Sequence, residues 1–422
     1  MLYIIFFIYF LALAYFITKI KFLQKTALST TFILFLFILK IAAGVVGGLV
    51  NHYIYNDNAD ACYYTYQSIV EYNNLISHPF IFFTDSLPSA YSNGIDGFFS
   101  TTNSFWNDLR NNILIKTMGV LNIFSKGNYY INSLFFNFIA FVGHIALYRV
   151  FKTIYPSQKW SIIIGCFLLP SMLYYSSIIG KDMIVFTALS FFCYCMFFGL
   201  QNKFTKKRIT YLFLSFIIIL LIRNFIAIIL LLCAIGWFVS VRFNVKPSKL
   251  FISFLVLTFA LILFSTFLPE KYKPLQLVVN RQQSFFALGF AKSQFQNDTL
   301  QPTVQSFIKS APAALRHSFL SPYPTEFDNI YLNFFAIEII LFLLLFVISI
   351  IYPLKNFNNN FIIFGILFTS LIFLFTGYIT TNAGSMVRYR SIYFPFLIVP
   401  ILCSINWINI KNLLIKKIKN NY

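Results

Sequence analysis

The sequence has few charged residues of any kind, and acidic residues are the scarcest. Only 10% of its 422 residues are charged, with 12 Asp or Glu against 32 Lys or Arg. Hydrophobic residues make up 59% of the chain and aromatic residues 20%. This composition leaves no polar stretch long enough for a soluble catalytic domain, so it excludes an ordinary globular enzyme. The chain is predicted to be an integral membrane protein.

The six cysteines lack any metal-ligand spacing. Five of them lie in apolar segments, where cysteine usually packs as a small hydrophobic residue. Neither a zinc site nor a disulfide framework is therefore expected from Cys62, Cys166, Cys193, Cys195, Cys233 and Cys403.

Apolar runs long enough to span the hydrocarbon region recur along the whole chain. They predict an all-α, polytopic fold with about eleven transmembrane helices, forming a single membrane domain over residues 1–422. Two of the runs, 209–222 and 225–241, are short. The predicted spans are 2–18, 29–50, 129–148, 160–178, 183–200, 209–222, 225–241, 250–268, 330–352, 361–381 and 391–408.

The net charge of +20 is not one basic surface of the kind that binds nucleic acid, because the basic residues are divided among short loops. Cytoplasmic loops retain Lys and Arg, and one topology satisfies this rule: the N-terminus outside and the C-terminus in the cytoplasm. The inner loops then hold 18 basic residues and no acid, whereas eleven of the twelve acids lie on the outer side. A cleaved signal peptide would carry its basic residues before the first apolar run, and here Lys19, Lys21 and Lys25 follow it.

Two outer segments are long, 51–128 and 269–329, and they are too aromatic to be disordered. We expect them to form folded lids or interfacial helices. Residues 112–124 have apolar side chains at helical spacing, which indicates a helix at the membrane interface or packed on the protein surface.

Carboxylates concentrate in the first outer segment. A helix starting near Asp57 would bring Asp57, Asp60 and Glu71 roughly onto one face. There Asp60 or Asp57 is a candidate base for a sugar hydroxyl or a candidate ligand of a divalent cation. The neighbouring tyrosines can stack on sugar rings. The alternative is that Asp57 caps the helix and the tyrosines form an aromatic belt at the headgroups.

Basic side chains from other outer turns are candidates for binding phosphate. Lys181 and Asp182 stand at a very short turn, where they either bind phosphate or satisfy each other. Arg223 lies in the turn between the two short apolar runs. Because runs of this length do not cross the hydrocarbon comfortably, the turn should lie below the outer surface and bury Arg223 in the protein. A buried arginine needs an anion, either a carboxylate such as Glu338 or a lipid phosphate. One long tilted helix with a buried Arg223 is the alternative.

The last outer turn and the end of the second outer segment hold further candidates. Arg388 and Arg390 do not share a helix face but can bracket one anion in a loop. The end of the second outer segment, just before the helix of Glu338, holds Arg316, His317, Glu326 and Asp328. Here His317 is a candidate base, and the alternative is that it is simply a solvated side chain.

Four short motifs, taken in order, resemble polytopic bacterial envelope-glycan proteins, the GT-C-type glycosyltransferases and the O-antigen-polymerase-like proteins. They are ADACYY, PSMLYYSSIIGKD, PYPTE and NAGSMVRYR. The resemblance implies a GT-C-like fold in the bacterial cytoplasmic membrane, with Asp60 or Asp57 as the base or metal-proximal acid. The likeness to the polymerases implies that Arg223, Arg388 and Arg390 of this chain contact a lipid pyrophosphate. Ser321 stands where such proteins often have an arginine, which removes an expected ion-pair partner of Glu326.

Three functions follow as hypotheses. The first is transfer of a sugar from a polyprenyl-phosphate donor on the extracytoplasmic face, with membrane lipids as surroundings and a divalent cation as a possible cofactor. The second is a repeat-unit polymerase. The third is a flippase or transporter of a lipid-linked glycan, which requires polar residues along a path through several helices, and Lys40 is one of few such residues.

Overall fold

A computed structural model of the chain describes residues 2–56, 59–84, 105–246, 249, 253, 273–287, 293–295, 298–324, 326–327, 330–354 and 359–412. Apart from residue 253, the predicted span 250–268 lies outside these residues, as do Asp57 and Asp328. Every regular element within them is a helix, which confirms the all-α prediction for the part of the chain that is described.

Helices make up most of the described part of the chain. In chain order they are α1 Leu2–Lys19, α2 Lys21–Gln24, α3 Thr30–Tyr53, α4 Asp60–Ser77, α5 Pro79–Thr84, α6 Phe105–Ser125, α7 Tyr129–Ile154, α8 Lys159–Ile163, a π-helical segment Ile164–Leu168, α9 Pro170–Tyr175, α10 Lys181–Gln201, α11 Lys206–Ile222, α12 Asn224–Arg242, α13 Pro274–Phe286, α14 Val304–Leu320, α15 Ile330–Ile351, α16 Asn360–Ile379, α17 Ala383–Tyr393 and α18 Pro395–Ser404. They form two compact units, the first of Met1–Arg149 and Met172–Ile228, the second of Val150–Ser171 and Ile229–Tyr422.

Seven described helices are long and apolar enough to cross a membrane: α1, α3, α7, α10, α12, α15 and α16. An eighth span results if α17 and α18, which are bent by 59° to each other, are counted together. The protein is therefore a polytopic membrane protein. The count of eleven spans and the orientation of the termini stay predictions.

The predicted span 160–178 is not one continuous helix. Helix α8 passes into the π-helical segment, and a new helix, α9, begins at Pro170. Proline has no N–H to donate and restricts the residue before it, so the first helix ends here and the second begins. This break places the PSMLYYSSIIGKD motif on the short helix α9 and the turn that follows it.

The first unit is held together by close helix contacts. Gly44 on α3 lies so near α7 that a Cβ atom there would approach Asn137 Nδ2 to 2.6 Å. Small residues permit this approach between membrane helices. Helix α10 packs along α11, and α4 packs along α6. Helix α1 is different, because Ile17 is its one buried residue.

The second unit has an aromatic core on α16 and α18. Phe361, Phe364 and Phe368 contact Trp237 or Phe396 with ring centroids 4.8 to 6.4 Å apart. Offset and edge-to-face ring contacts of this kind stabilise a core beyond the area that they bury. On the same α16, Gly377 lies directly against the backbone carbonyl of Ala314, which brings α14 and α16 close together.

Candidate functional site

A cavity whose lining includes six tyrosines, named here the tyrosine cavity, lies in the first unit. Its volume is about 1210 Å³. It is formed by the first residues of α1 and α7, the last residues of α3 and the start of α4, so these helix ends lie on one side of the first unit. The aromatic and polar side chains that line it are Tyr3, Asn51, His52, Tyr53, Tyr63, Thr65, Tyr66, Asn128, Tyr129 and Tyr130.

The cavity combines aromatic faces with hydrogen-bonding groups. Tyr129 and Tyr130 meet edge to face at 5.5 Å, and the exposed Tyr53 and Tyr66 present large apolar surfaces to a ligand. The buried Asn51 has an amide nitrogen without a hydrogen-bond partner among the described residues. Tyrosine supplies both an apolar ring and a hydroxyl, so these walls suit a ligand with apolar faces and many hydroxyl groups.

Asp60 is the first residue of α4, and its side chain is exposed. The helix does not start near Asp57 as expected, and Ala59 is its N-cap. A carboxylate in the first turn is stabilised by the positive end of the helix dipole. The neighbours Ala59 and Cys62 line the tyrosine cavity, but Asp60 itself does not.

Glu71 shares the face of α4 with Asp60, as predicted, but the two carboxylates are far apart. Eleven residues of helix separate them by about 16 Å. Glu71 instead lies 3.9 Å from Lys116 of α6. Helix α6, Phe105–Ser125, contains the predicted helix 112–124 and begins seven residues earlier. No group of three or more Asp, Glu, His or Cys in the described part of the chain is arranged to hold a metal ion. A divalent cation stays a prediction.

The turn between α11 and α12 falls at Arg223, where the two short legs predicted it. Arg223 is buried, and its Nη2 atom lies 2.5 Å from Asp182 Oδ1. The expected carboxylate partner is therefore present, but it is Asp182 and not Glu338. A buried cation and a buried carboxylate in contact stabilise each other's charge.

Lys181 and Asp182 open α10, and their side chains have different partners. Asp182 contacts Arg223, whereas Lys181 Nζ lies 5.7 Å from the centre of the Tyr64 ring. Tyr64 is one turn after Asp60 on the same face of α4. The structure thus brings Lys181 to the face of α4 that carries Asp60.

In the second unit, Glu338 is buried and held by Ser171. The Ser171 amide donates to Oε2 at 2.8 Å and its hydroxyl donates to Oε1 at 2.7 Å. Arg390 is near enough to act on Glu338 electrostatically, and the guanidinium donates to the Ser318 and Ser321 carbonyls at 3.3 and 2.6 Å.

The prediction that Arg388 and Arg390 lie in a loop is wrong. Both belong to α17, which begins because Asn382 Oδ1 accepts a hydrogen bond from Ser385 N at 2.8 Å. Two residues apart on a helix, their side chains point in nearly opposite directions. Arg390 is buried while Arg388 is partly exposed, so the loop arrangement expected to bracket one anion is not present, and a phosphate role for either residue stays a prediction.

The other candidates of the second unit surround the end of α14. Arg316 is exposed, and Glu326 accepts hydrogen bonds from Ser321 Oγ and Tyr323 N at 2.7 and 2.8 Å. Ser321 thus partners Glu326 in place of the arginine that the resemblance implies. His317 is buried and stacks on Phe295 at 4.3 Å. Burial lowers the pKa of His317, as does the nearby Arg316, while Glu326 acts in the opposite direction.

Sequence reasoning missed a polar network around Lys40 in the first unit. Lys40 Nζ lies 2.8 Å from Ser176 O, 2.9 Å from Ser176 Oγ, 3.3 Å from Ser177 Oγ and 3.1 Å from His144 Nε2. Lys40 is near the middle of α3 and His144 near the middle of α7. A lysine in an apolar run signals a buried partner, but its partners come from residues more than 100 positions away.

No family model, curated protein or solved structure matches this chain. The resemblance to envelope-glycan enzymes therefore rests on the four short motifs, and the GT-C-like fold stays a prediction.

Proposed function

We propose that the protein is a membrane glycosyltransferase that acts on a polyprenyl-phosphate-linked sugar at the extracytoplasmic face of a bacterial cytoplasmic membrane. The observation that carries the proposal is the tyrosine-lined cavity, whose wall includes residues from the start of α4, the helix that begins at Asp60. Tyrosine rings stack on the apolar faces of sugars, and the hydroxyls and the Asn51 amide supply hydrogen bonds. The polyprenyl tail of the donor lies against the apolar surfaces of the spanning helices.

In the proposed reaction, Asp60 accepts the proton of an acceptor hydroxyl. The acceptor oxygen then forms a bond to the anomeric carbon of the donor sugar, and the bond from that carbon to the phosphate oxygen breaks. The departing phosphate carries negative charge, which a cation stabilises. We assign this role to Lys181, because Tyr64 lies under Lys181 and one turn after Asp60 on the same face of α4.

Arg223 contributes less to this proposal than the sequence suggested, because Asp182 already balances its charge. The assignments of Arg388, Arg390, Arg316 and Glu326 to the phosphate stay predictions. The contacts of Glu326 and Arg390 are polar interactions within the second unit, and these are compatible with a purely structural role.

The test replaces Asp60 by Asn, which keeps the shape of the side chain but removes the base. We expect transfer to fall by at least about a hundredfold, the lower range for losing a general base, with the protein still folded and membrane-inserted. Asp298→Asn, at another exposed acid, is the matched control and should transfer normally. Normal glycan in cells whose only copy of the protein is the Asp60→Asn variant would contradict the proposal.

The same strain set separates transfer from polymerisation. Loss of a transferase should remove one sugar from the repeat unit, whereas loss of a polymerase should leave complete single repeat units on the lipid carrier.

Tyr66→Ala should weaken use of the sugar substrate, while Tyr15→Ala, an equally exposed tyrosine outside the cavity lining, should have no effect.

Transport of a lipid-linked glycan is the second candidate function, and the Lys40 network favours it. Polar groups at mid-membrane depth are expensive and commonly mark a substrate or proton path. Under this alternative, Lys40→Met should leave complete lipid-linked glycan on the cytoplasmic face, detectable by its resistance to an externally added glycosidase. Under the transferase proposal, the glycan made in that variant should be reduced in amount but exposed outside.

A further inference from the structure

A second cavity, of about 810 Å³, lies in the first unit beside α11. The α11 residues that line it recur every three or four positions from Lys207 to Ile222, so the cavity follows one face of the helix as a groove. Fifteen residues of helix make this groove about 22 Å long. Its opposite wall comes from α6, α7 and α10, through residues such as Phe136, Met183 and Phe191.

The groove has a cationic end and an apolar remainder. Thr205, Lys207 and Arg208 line one end, and none of the residues that line the groove is acidic. This end is also the N-terminus of α11, where Thr205 Oγ accepts a hydrogen bond from Arg208 N. The helix dipole adds to the positive potential of the two side chains. The pattern complements an amphiphile with an anionic head and a long apolar tail.

The cationic end is remote from the proposed reaction. Arg223 follows the far end of α11 and contacts Asp182 at the start of α10, so Lys207 is about 24 Å along the helix from that pair. A phosphate bound at Lys207 would therefore lie on the other membrane side from Lys181. A ligand bound at this end of the groove would not be the sugar donor of the proposed reaction.

We propose that this groove binds a phospholipid with an anionic headgroup, whose phosphate contacts Lys207 and one of whose acyl chains lies along α11. Arg208 has a different task at the same place. Its Nη1 atom donates to the carbonyls of Phe198 and Lys203 at 3.1 and 2.7 Å, which closes the turn between α10 and α11 and fixes a positive charge at the mouth of the groove.

The test measures lipid retention by native mass spectrometry of the purified full chain, with phosphatidylglycerol and phosphatidylcholine of identical acyl chains as probes. We expect the wild type to retain phosphatidylglycerol in preference to phosphatidylcholine. Lys207→Ala should weaken phosphatidylglycerol binding about fivefold, the effect expected of one lysine at an anionic lipid. Lys206→Ala is the matched control, because Lys206 is exposed and does not line the groove.

A second pair of variants tests the apolar part. Leu214 lines the groove and Phe213 beside it does not, and both are exposed, so neither substitution disturbs the core. Leu214→Trp should fill the groove and abolish lipid retention, whereas Phe213→Trp should retain it. Retention unchanged in Leu214→Trp, equal binding of the two phospholipids, or displacement of phosphatidylglycerol by an equimolar polyprenyl phosphate would each overturn the proposal.

Discussion

Two buried carboxylates, one in each unit, are stabilised in different ways. Asp182 in the first unit contacts the guanidinium of Arg223. Glu338 in the second unit is held by the amide and the hydroxyl of a single residue, Ser171, and Arg390 acts on it only from a greater distance. A full charge therefore balances the first carboxylate, while dipoles hold the second.

The difference matters because the two arrangements fail differently. When one member of a buried ion pair is removed, the other is left as an uncompensated charge, which is strongly destabilising. When a carboxylate held by an N–H and a hydroxyl is neutralised, its partners keep groups to bond, because a hydroxyl both donates and accepts. The first unit should be sensitive to the loss of one charge and the second unit tolerant of it.

Replacing Asp182 by Asn should give the largest effect. The variant keeps the side-chain shape but removes the negative charge that the buried Arg223 contacts, at a cost of about 3 to 5 kcal/mol in unfolding free energy. Thermal unfolding of the purified protein in detergent measures the loss. The double variant Asp182→Leu with Arg223→Met, which removes both charges, should recover much of the stability. A double variant as unstable as Asp182→Asn would show that the loss does not come from an uncompensated buried charge.

Glu338→Gln is the matched change in the second unit, and its effect should be smaller. The Gln carbonyl can accept from the Ser171 amide while its NH₂ group donates to the Ser171 hydroxyl, so no buried partner is orphaned. We expect a change within about 1 kcal/mol, the net worth of one ordinary hydrogen bond. The same unfolding measurement compares the two variants directly. Equal losses in Glu338→Gln and Asp182→Asn would remove the contrast between the units.

The smallest expected effect is a pH dependence of stability that arises from His317, a neighbour of the Arg390 contacts. His317 precedes Ser318, whose carbonyl accepts from Arg390, and burial lowers the pKa of its imidazole. An unfolded histidine takes up a proton near pH 6.5, whereas the folded His317 resists protonation until lower pH. Below about pH 6.5 the unfolded state binds more protons, so stability should fall as the pH falls and should be flat above this range.

Unfolding midpoints between pH 5 and 8 test this expectation. His317→Gln should abolish the part of the acid-side decline that comes from His317, and His78→Gln, at an exposed histidine, should leave it in place. An identical pH profile for the wild type and His317→Gln would show that His317 plays no part.

Sequence reasoning located the spanning helices well, because span length and apolar composition are local properties. The expected spans 2–18, 29–50 and 183–200 correspond to Leu2–Lys19, Thr30–Tyr53 and Lys181–Gln201. The buried turn at Arg223 also followed from local arithmetic, since two legs of that length cannot cross the hydrocarbon comfortably.

Pairings between distant segments could not be predicted in the same way. The sequence indicates that Arg223 needs a carboxylate, but whether Asp182 or Glu338 supplies it depends on how helices pack. The helix containing Arg388 and Arg390 is hard to predict although Asn382 is a good N-cap residue, because its polar composition is also typical of a turn. The tyrosine cavity combines residues from four helices, and no spacing within one segment reveals it.

Helix α1 has a consequence for how the proposed activity should be measured. Leu2, Tyr3, Phe6 and Phe7 form part of the cavity wall, yet Ile17 is the one buried residue of this helix. Bilayer lipid rather than protein packing must therefore hold most of α1 in place. Its 18 residues extend about 27 Å, slightly less than a typical hydrocarbon thickness of about 30 Å. Such a mismatch makes helix tilt depend on bilayer thickness, so one wall of the cavity is set by the membrane composition, and detergent micelles and bilayers of different chain length present the substrate with differently shaped sites.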